Sequence, residues 1–355
     1  MSNPRENLKG LSLEALEAKM AEHGHPAFRG RQLFQWINQK NESDFSKMTD
    51  LSKSFRDWLA ERFELPRVGL AEQIDSGDGT VKYLVRLGDG EKVEAVFIPT
   101  EGRNTLCVST QVGCKQACAF CATGYQKFTR DLHAWEIVDQ LLSLPFPGKV
   151  TNIVLMGMGE PFDNWENVIT ALKILQHPMG PQIGKRHITV STVGLVPQIQ
   201  KFVDADVGKL AISLHGTTDE QRTRIMPINR KYPLENLLQT CRELRMPGRL
   251  RITWEYLLID GINDTEEDAH RLAKILRGIP SKVNLLAYNE NSFVDFKRPP
   301  EDRVLRFQEI LLGHGYTATY RRSRGRDITA ACGQLHHMSQ TRQKRDAERL
   351  AAHSN

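Results

Sequence analysis

Thr105-Leu106-Cys107-Val108-Ser109 leads within five residues into Cys114-Lys115-Gln116-Ala117-Cys118-Ala119-Phe120-Cys121. A short run rich in β-formers thus delivers three thiols onto one loop, with Gly113 and Gly124 flanking them. The strand-like run recurs at Asn152–Met156, His187–Ser191, Leu210–Leu214, Arg251–Leu257 and Val283–Ala287. Helical stretches separate the runs, at Trp135–Leu144, Asn167–Leu175, Leu234–Leu244, Glu266–Arg277 and Glu301–Leu312. Strands alternating with helices predict an α/β fold built on a parallel sheet. Six such units are too few to close an eight-fold barrel, so the expectation is a partial, six-unit βα barrel. Its functional groups belong at the C-terminal ends of the strands, where the thiol loop lies.

Upstream, residues 1–65 read as a helical accessory domain. Ser12 is placed to cap a helix from Leu13 to His23, with Gly24 as its stop. Phe28–Lys40 and Leu51–Phe63 follow, the latter with Leu51, Phe55, Trp58 and Leu59 at helical spacing. Trp36 and Trp58 are read as core before they are read as RNA-stacking groups. Residues 66–103 switch to alternation: Thr80–Leu87 and Glu91–Ile98 flank Gly88-Asp89-Gly90, a β-hairpin extension. The barrel is then assigned to 104–315 and a C-terminal segment to 316–355.

The 355 residues carry 26% charged and 40% hydrophobic side chains, which excludes a disordered polyelectrolyte. No run of 18 apolar residues exists, and Met1–Gly10 is polar, so the protein is expected in the cytoplasm, with no membrane partner. The net charge of +5 is carried by the stretch from Tyr320 to the end, with Arg321, Arg322, Arg324 and Arg326 in one cluster and Arg342, Lys344, Arg345 and Arg349 in another. Such a basic end suits a polyanion, and equally a solvated tail.

Six cysteines are too dilute for a disulfide scaffold. Cys241 lies among Leu234, Leu237, Leu238 and Leu244 and is read as a buried structural thiol. Cys114, Cys118 and Cys121 fit a soft metal. With Cys107 as a fourth ligand they could hold zinc. Three ligands crowded on one loop also suit a four-iron cluster with one iron left for another molecule. Met156-Gly157-Met158-Gly159-Glu160-Pro161 ends the second strand with glycines that admit a ligand and a carboxylate that suits an ammonium.

The cysteine loop, with Phe120 before its third thiol, resembles the signature of the radical S-adenosylmethionine (SAM) superfamily. Ser323-Arg324-Gly325-Arg326-Asp327-Ile328-Thr329-Ala330-Ala331-Cys332-Gly333-Gln334-Leu335 resembles the end of the RlmN-type RNA adenosine methyltransferases. Ser191-Thr192-Val193-Gly194, Ile212-Ser213-Leu214-His215 and Pro227-Ile228-Asn229-Arg230-Lys231-Tyr232 match in order. Lys127, Asp131 and the run Ala287–Asn291 depart from the family pattern.

The resemblance implies a barrel of radical SAM type, a 4Fe-4S cluster on Cys114, Cys118 and Cys121, and SAM bound by Gly159, Glu160, Ser191, Ser213, Leu214, His215 and Asn289. It implies methylation of carbon-2 of an adenosine in 23S rRNA, at the peptidyl transferase centre, and in tRNA at adenosine 37. Two SAM molecules serve each turnover: one methylates Cys332, and the other yields the radical that activates the parked methyl group. The carbon joined to adenine is released as Cys107 attacks the Cys332 sulfur, leaving a transient disulfide. Glu94 matches the family's proton acceptor, against the alternative of a solvated edge position. An electron donor such as flavodoxin, a thiol reductant and a monomeric state complete the expectation. Two rivals stand beside it, a carbon-8 methyltransferase of the antibiotic-resistance type and a non-catalytic RNA-binding zinc or iron-sulfur protein.

Overall fold

A computed structural model describes residues 5–248 and 250–335. The second basic cluster, Arg342 to Arg349, lies outside the described residues. Strand β1 (Glu6–Asn7) is followed by helices α1 (Leu13–Glu22), α2 (Phe28–Asn38) and α3 (Lys53–Arg62), and β2 (Phe63–Glu64) pairs in parallel with β1. The Ser12 hydroxyl accepts from Ala15 N, and Ser52 caps α3 by accepting from Phe55 N. Leu16 and Met20 of α1, Leu33 and Ile37 of α2, and Phe55 and Leu59 of α3 face one another as a buried seam. Trp36 and Trp58 are half-buried against this seam. The bundle is fastened to the rest of the protein by a buried ion pair between Lys9 and Asp139, whose second oxygen accepts from Val68 N at 2.8 Å.

The next strands form an antiparallel meander, β3 (Gly69–Asp75), β4 (Val81–Arg86), β5 (Lys92–Thr100) and β6 (Arg103–Cys107). Beyond β6, β7 (Gln111–Val112) and β8 (Arg130–Asp131) pair across the neck of the cysteine loop. The repeat continues with α4 (Ala134–Leu142), β9 (Asn152–Leu155), α5 (Trp165–Gln176), β10 (Ile188–Thr192), α6 (Val196–Ala205) and β11 (Lys209–Ser213). It ends with α7 (Asp219–Ile225), α8 (Leu234–Glu243), β12 (Ile252–Leu258), α9 (Glu266–Ile275), β13 (Ser281–Ala287), α10 (Glu301–Gly313) and β14 (Ala318–Tyr320). All six expected strands are present, and β14 adds a parallel strand beyond them. The hairpin is no separate layer: one ten-stranded sheet runs β14-β13-β12-β11-β10-β9-β6-β5-β4-β3.

The register divides this sheet into two faces. Leu106, Ile153, Val190, Ile212, Trp254 and Leu285 share one face and pack into a continuous core with Leu172, Phe202, Leu237, Leu272 and Phe307 from the helices. Val96↔Cys107↔Val154 and Ser213↔Glu255↔Asn284 are aligned across neighbouring strands on the opposite face. Val96 and Cys107 line one cavity together with Leu286 of β13, so the sheet curls until distant strands face each other. No helix among the described residues is long and apolar enough to cross a membrane.

Removing one partner of a buried ion pair leaves the other charge uncompensated. Lys9→Met should therefore lower the unfolding free energy by about 3 kcal/mol, read as a drop in the urea midpoint. An unchanged midpoint would mean that the pair does not fasten the bundle.

Candidate active site

Two cavities open on the inward face at the C-terminal ends of the parallel strands, and Cys332 lines both. The first is bounded by Cys114, Cys118 and Cys121 on one side and by Gly159, Glu160, Ser191, Ser213 and His215 on the other. The second holds Cys107, Arg321 and apolar side chains of β5, β9 and β13. Of the residues implied by resemblance, Leu214, Asn289 and Glu94 line neither cavity. The Leu214 side chain is buried in the core. Asn289 Nδ2 instead donates to the Cys332 carbonyl at 3.2 Å.

The thiol loop is shaped by backbone that side chains would obstruct. Gly113 has φ +75°, and a Cβ there would strike the Lys127 carbonyl. Gly124 is needed for close approach, not for a positive φ, since a Cβ would stand 2.7 Å from Cys118 O. Burial pushes the Cys114 thiol up to about 12, raises Cys121, and drives Cys118 well above the ordinary thiol value. Three desolvated thiols that hold their protons until a cation arrives are a donor set suited to iron. A closed zinc site would need Cys107 as a fourth ligand, but Cys107 lines the second cavity and not the one that holds the three loop thiols. Three thiols without a fourth suit a four-iron cluster with one iron open to another ligand.

Across the cavity, Gly159 has φ +100°, and a Cβ there would stand 2.6 Å from the Gln111 Cβ. This turn brings Glu160 inward, where its carboxylate accepts from Phe162 N at 3.0 Å and Val193 N at 2.9 Å. Burial outweighs both hydrogen bonds, and the carboxyl is pushed up to about 7. A buried acid held near neutrality is a seat for an ammonium group. His215, at φ +54°, accepts from Leu257 N through Nδ1, so its proton sits on Nε2. Burial and the Arg222 guanidinium push its pKa down to about 3, leaving it neutral.

Arg222 was not anticipated from the sequence. Its fully buried guanidinium donates to the carbonyls of Leu214 and Val193, at 3.2 and 2.7 Å, and so joins the ends of β10 and β11. Glu255 was also missed. It is buried on β12, accepts from Asn284 Nδ2 at 3.0 Å, and burial raises its pKa. The signal was present as an acid in register with Thr253 and Leu257 on an otherwise apolar strand.

Cys332 is exposed, whereas Cys107 is buried and its thiol is pushed up to about 12, first by burial and then by the neighbouring Cys332. Gly333 O accepts from Ala122 N at 2.7 Å and Leu335 O from Thr123 Oγ1 at 2.6 Å, which pins the segment to the cysteine loop. On the other side Ser76 Oγ donates to Asp327 at 2.6 Å, Gly325 N donates to Asp78 at 3.0 Å, and Arg324 donates to Pro99 O at 3.0 Å. The first basic cluster is thus largely spent on protein. Arg322 pairs with Glu301, while Arg321 is the cation beside Cys332 and Cys107. Glu94 occupies no edge: it lies on β5 between β4 and β6, 5% exposed, and pairs with Lys82 at 3.2 Å.

The raised Glu160 carboxyl has a measurable sign. Unfolded, it releases its proton near 4.5, and folded near 7, so between those values the folded state holds the extra proton and stability falls as pH rises. Without cluster or SAM, the protein should lose about 3 kcal/mol across that window through this group. Thermal melts of Glu160→Gln should be flatter over the same range, and an identical slope would refute the assignment.

A model of the radical SAM superfamily matches residues 108–273, and one of the ribosomal RNA large subunit methyltransferase N-terminal domain matches residues 6–65. The dual-specificity RNA methyltransferase RlmN of Geobacter sulfurreducens is 49% identical over 329 residues, covering 93% of this chain and 91% of that one. RlmN 2 of Myxococcus xanthus is 47% identical over 353 residues, with 96% and 93% covered. The crystal structure of a radical SAM methyltransferase from Sphaerobacter thermophilus is 42% identical and matches with a TM-score of 0.87 over 94% of this chain and 99% of that one. Radical SAM membership brings a 4Fe-4S cluster and SAM as cofactors. With likeness extending over nearly the whole length of both chains, this protein belongs to the RlmN family of radical SAM RNA methyltransferases.

Proposed function

We propose that the enzyme methylates carbon-2 of an adenosine in 23S rRNA, at the peptidyl transferase centre, and of adenosine 37 in tRNA. The observation that carries this reading is the position of Cys332 on both cavities, with the thiol loop in one and Cys107 in the other. Carbon-2 of adenine is electron-poor, so a methyl cation equivalent does not suit it, and the methyl group is parked on protein first. Cys114, Cys118 and Cys121 would hold the cluster, which would supply the electron for cleavage of SAM to a carbon radical.

The chain's own side chains hold the methyl group, orient SAM and adenine, and move the proton. Cys332, exposed at the junction, accepts a methyl group on sulfur from one SAM, and a second SAM is consumed in activating that methyl group. Glu160 receives the SAM ammonium, and Gly159, Ser191, Ser213 and His215 bound the same cavity. Adenine enters beside Arg321 among Val96, Ile98 and Leu286. The activated carbon joins carbon-2, Glu94 takes the carbon-2 proton, and the adduct gives up one electron, which offsets the one spent on SAM. The Cys107 thiolate then attacks the Cys332 sulfur; the carbon leaves with both electrons of the broken carbon–sulfur bond and takes up a proton to become the methyl group, and a Cys107–Cys332 disulfide remains. A thiol reductant returns both thiols, and flavodoxin or a similar donor would supply the electron needed to start SAM cleavage. The protein acts as a cytoplasmic monomer.

Mass spectrometry of nucleosides from cells with and without the gene should read loss of 2-methyladenosine from ribosomal RNA and from tRNA. Loss of 8-methyladenosine would favour the carbon-8 rival, and no change in either would remove the assignment, as would a colourless zinc protein after anaerobic purification. Cys107→Ala should accumulate protein covalently joined to RNA, and Cys332→Ala should form none. Equal adduct in both contradicts the role given to Cys332.

A further inference from the structure

We infer that Lys82 is a positioning residue that couples Glu94 to the segment carrying Cys332, a coupling whose purpose rests on the proton-acceptor role proposed for Glu94. Lys82 sits on β4 opposite Val96, and Glu94 sits on β5 opposite Leu84, so both side chains share the inward face. The two side chains are 9% and 6% exposed, and Lys82 Nζ stands 3.2 Å from Glu94 Oε1. A buried ammonium needs an acceptor for each of its three N–H groups. The other two point at one residue: Thr329 Oγ1 at 3.0 Å and Thr329 O at 3.5 Å. The Thr329 hydroxyl donates its proton to Ile328 O at 2.7 Å, which leaves its lone pairs for the lysine.

Thr329 has φ +51°, a left-handed conformation that a β-branched residue rarely adopts. Such strain persists only where the surroundings impose it. Here the Asp78 and Asp327 hydrogen bonds hold the turn from one side, Ala330 N donates to Gly325 O at 2.8 Å within it, and Lys82 grips its apex. Cys332 follows three residues later. If the segment leaves its dock, Lys82 loses its two Thr329 acceptors, and its ammonium is no longer held against Glu94 from the far side. Glu94 is therefore set in place by the same event that docks Cys332. Coupling of this kind is reciprocal, so neutralising Glu94 must loosen the segment.

Hydrogen–deuterium exchange on the reconstituted holoenzyme reads the coupling directly. Residues 325–332 should exchange about tenfold faster in both Lys82→Met and Glu94→Gln, while Lys82→Arg, which keeps the charge, should stay close to wild type. Unchanged exchange in Glu94→Gln overturns the coupling, because a merely structural lysine would not transmit the loss of that charge. Single-turnover reactions with a 23S rRNA transcript read its purpose. Lys82→Met should carry normal S-methylation at Cys332 yet resolve the RNA adduct about tenfold more slowly, and Lys82→Arg should recover most of the rate. Resolution by Lys82→Met at the wild-type rate, or loss of its S-methylation, overturns the inference. Resolution by Glu94→Gln at the wild-type rate removes the proton-acceptor reading instead, and the exchange result separates that failure from failure of the coupling.

Discussion

Cys332 stands where it does because its segment is hydrogen-bonded at both ends, to the β3–β4 turn through Asp78 and Asp327 and to the cysteine loop through Gly333 and Leu335. A chain end held on one side only would keep too much conformational freedom to present one sulfur to two cavities. Asp78 and Arg324 at this junction are exposed and Ser76 is buried, and each bond is individually modest, so it is their number and two-sided arrangement that fix the sulfur. The meander β3–β6 thereby serves the chemistry without supplying a cluster ligand. It extends the sheet until its far turn can catch the returning C-terminal segment.

The two-faced sheet sets the electrostatics of what lies inside. Its outer face is apolar and covered by helices, which supplies the core. Its inner face carries thiols, carboxylates and hydroxyls at the strand ends, in surroundings dry enough to disfavour charge. Cys107, Cys114 and Cys118 are held as thiols, Glu160 is raised towards neutrality, and His215 is kept uncharged. Every one of these shifts is led by burial. The cavity therefore favours cations that can compensate the anions it would otherwise suppress, which is the need of an iron cluster and of a sulfonium cofactor bearing an ammonium group. Burial lowers Arg222 as well, to about 10, and its guanidinium is compensated by donating to strand-end carbonyls and to Asn229 at 2.8 Å.

The six core strands, the helices with clear apolar stripes, the hairpin turn and the cysteine loop were all legible in the chain, because each depends on spacing among neighbours. What escaped was short or atypical. β14 has three residues, β3 is an exposed edge with no apolar alternation, and α7 buries only Arg222 and Ile225. Helix α6 did carry a signal in Ile199, Phe202 and Val203, hidden by Pro197 near its start.

By itself the sequence determined the periodicity of each element, the three clustered thiols and, through resemblance across its length, the family. Only the tertiary structure decided which polar side chains share the inward face, that Glu94 is buried against Lys82, that Arg321 stands beside the reacting thiols, and that Asn289 holds the Cys332 carbonyl rather than the cavity wall. The reason is physical. Periodicity is a property of neighbours in the chain, whereas Cys107 and Cys332, more than two hundred residues apart, meet only when the sheet curls and its last segment is caught by the turn between β3 and β4.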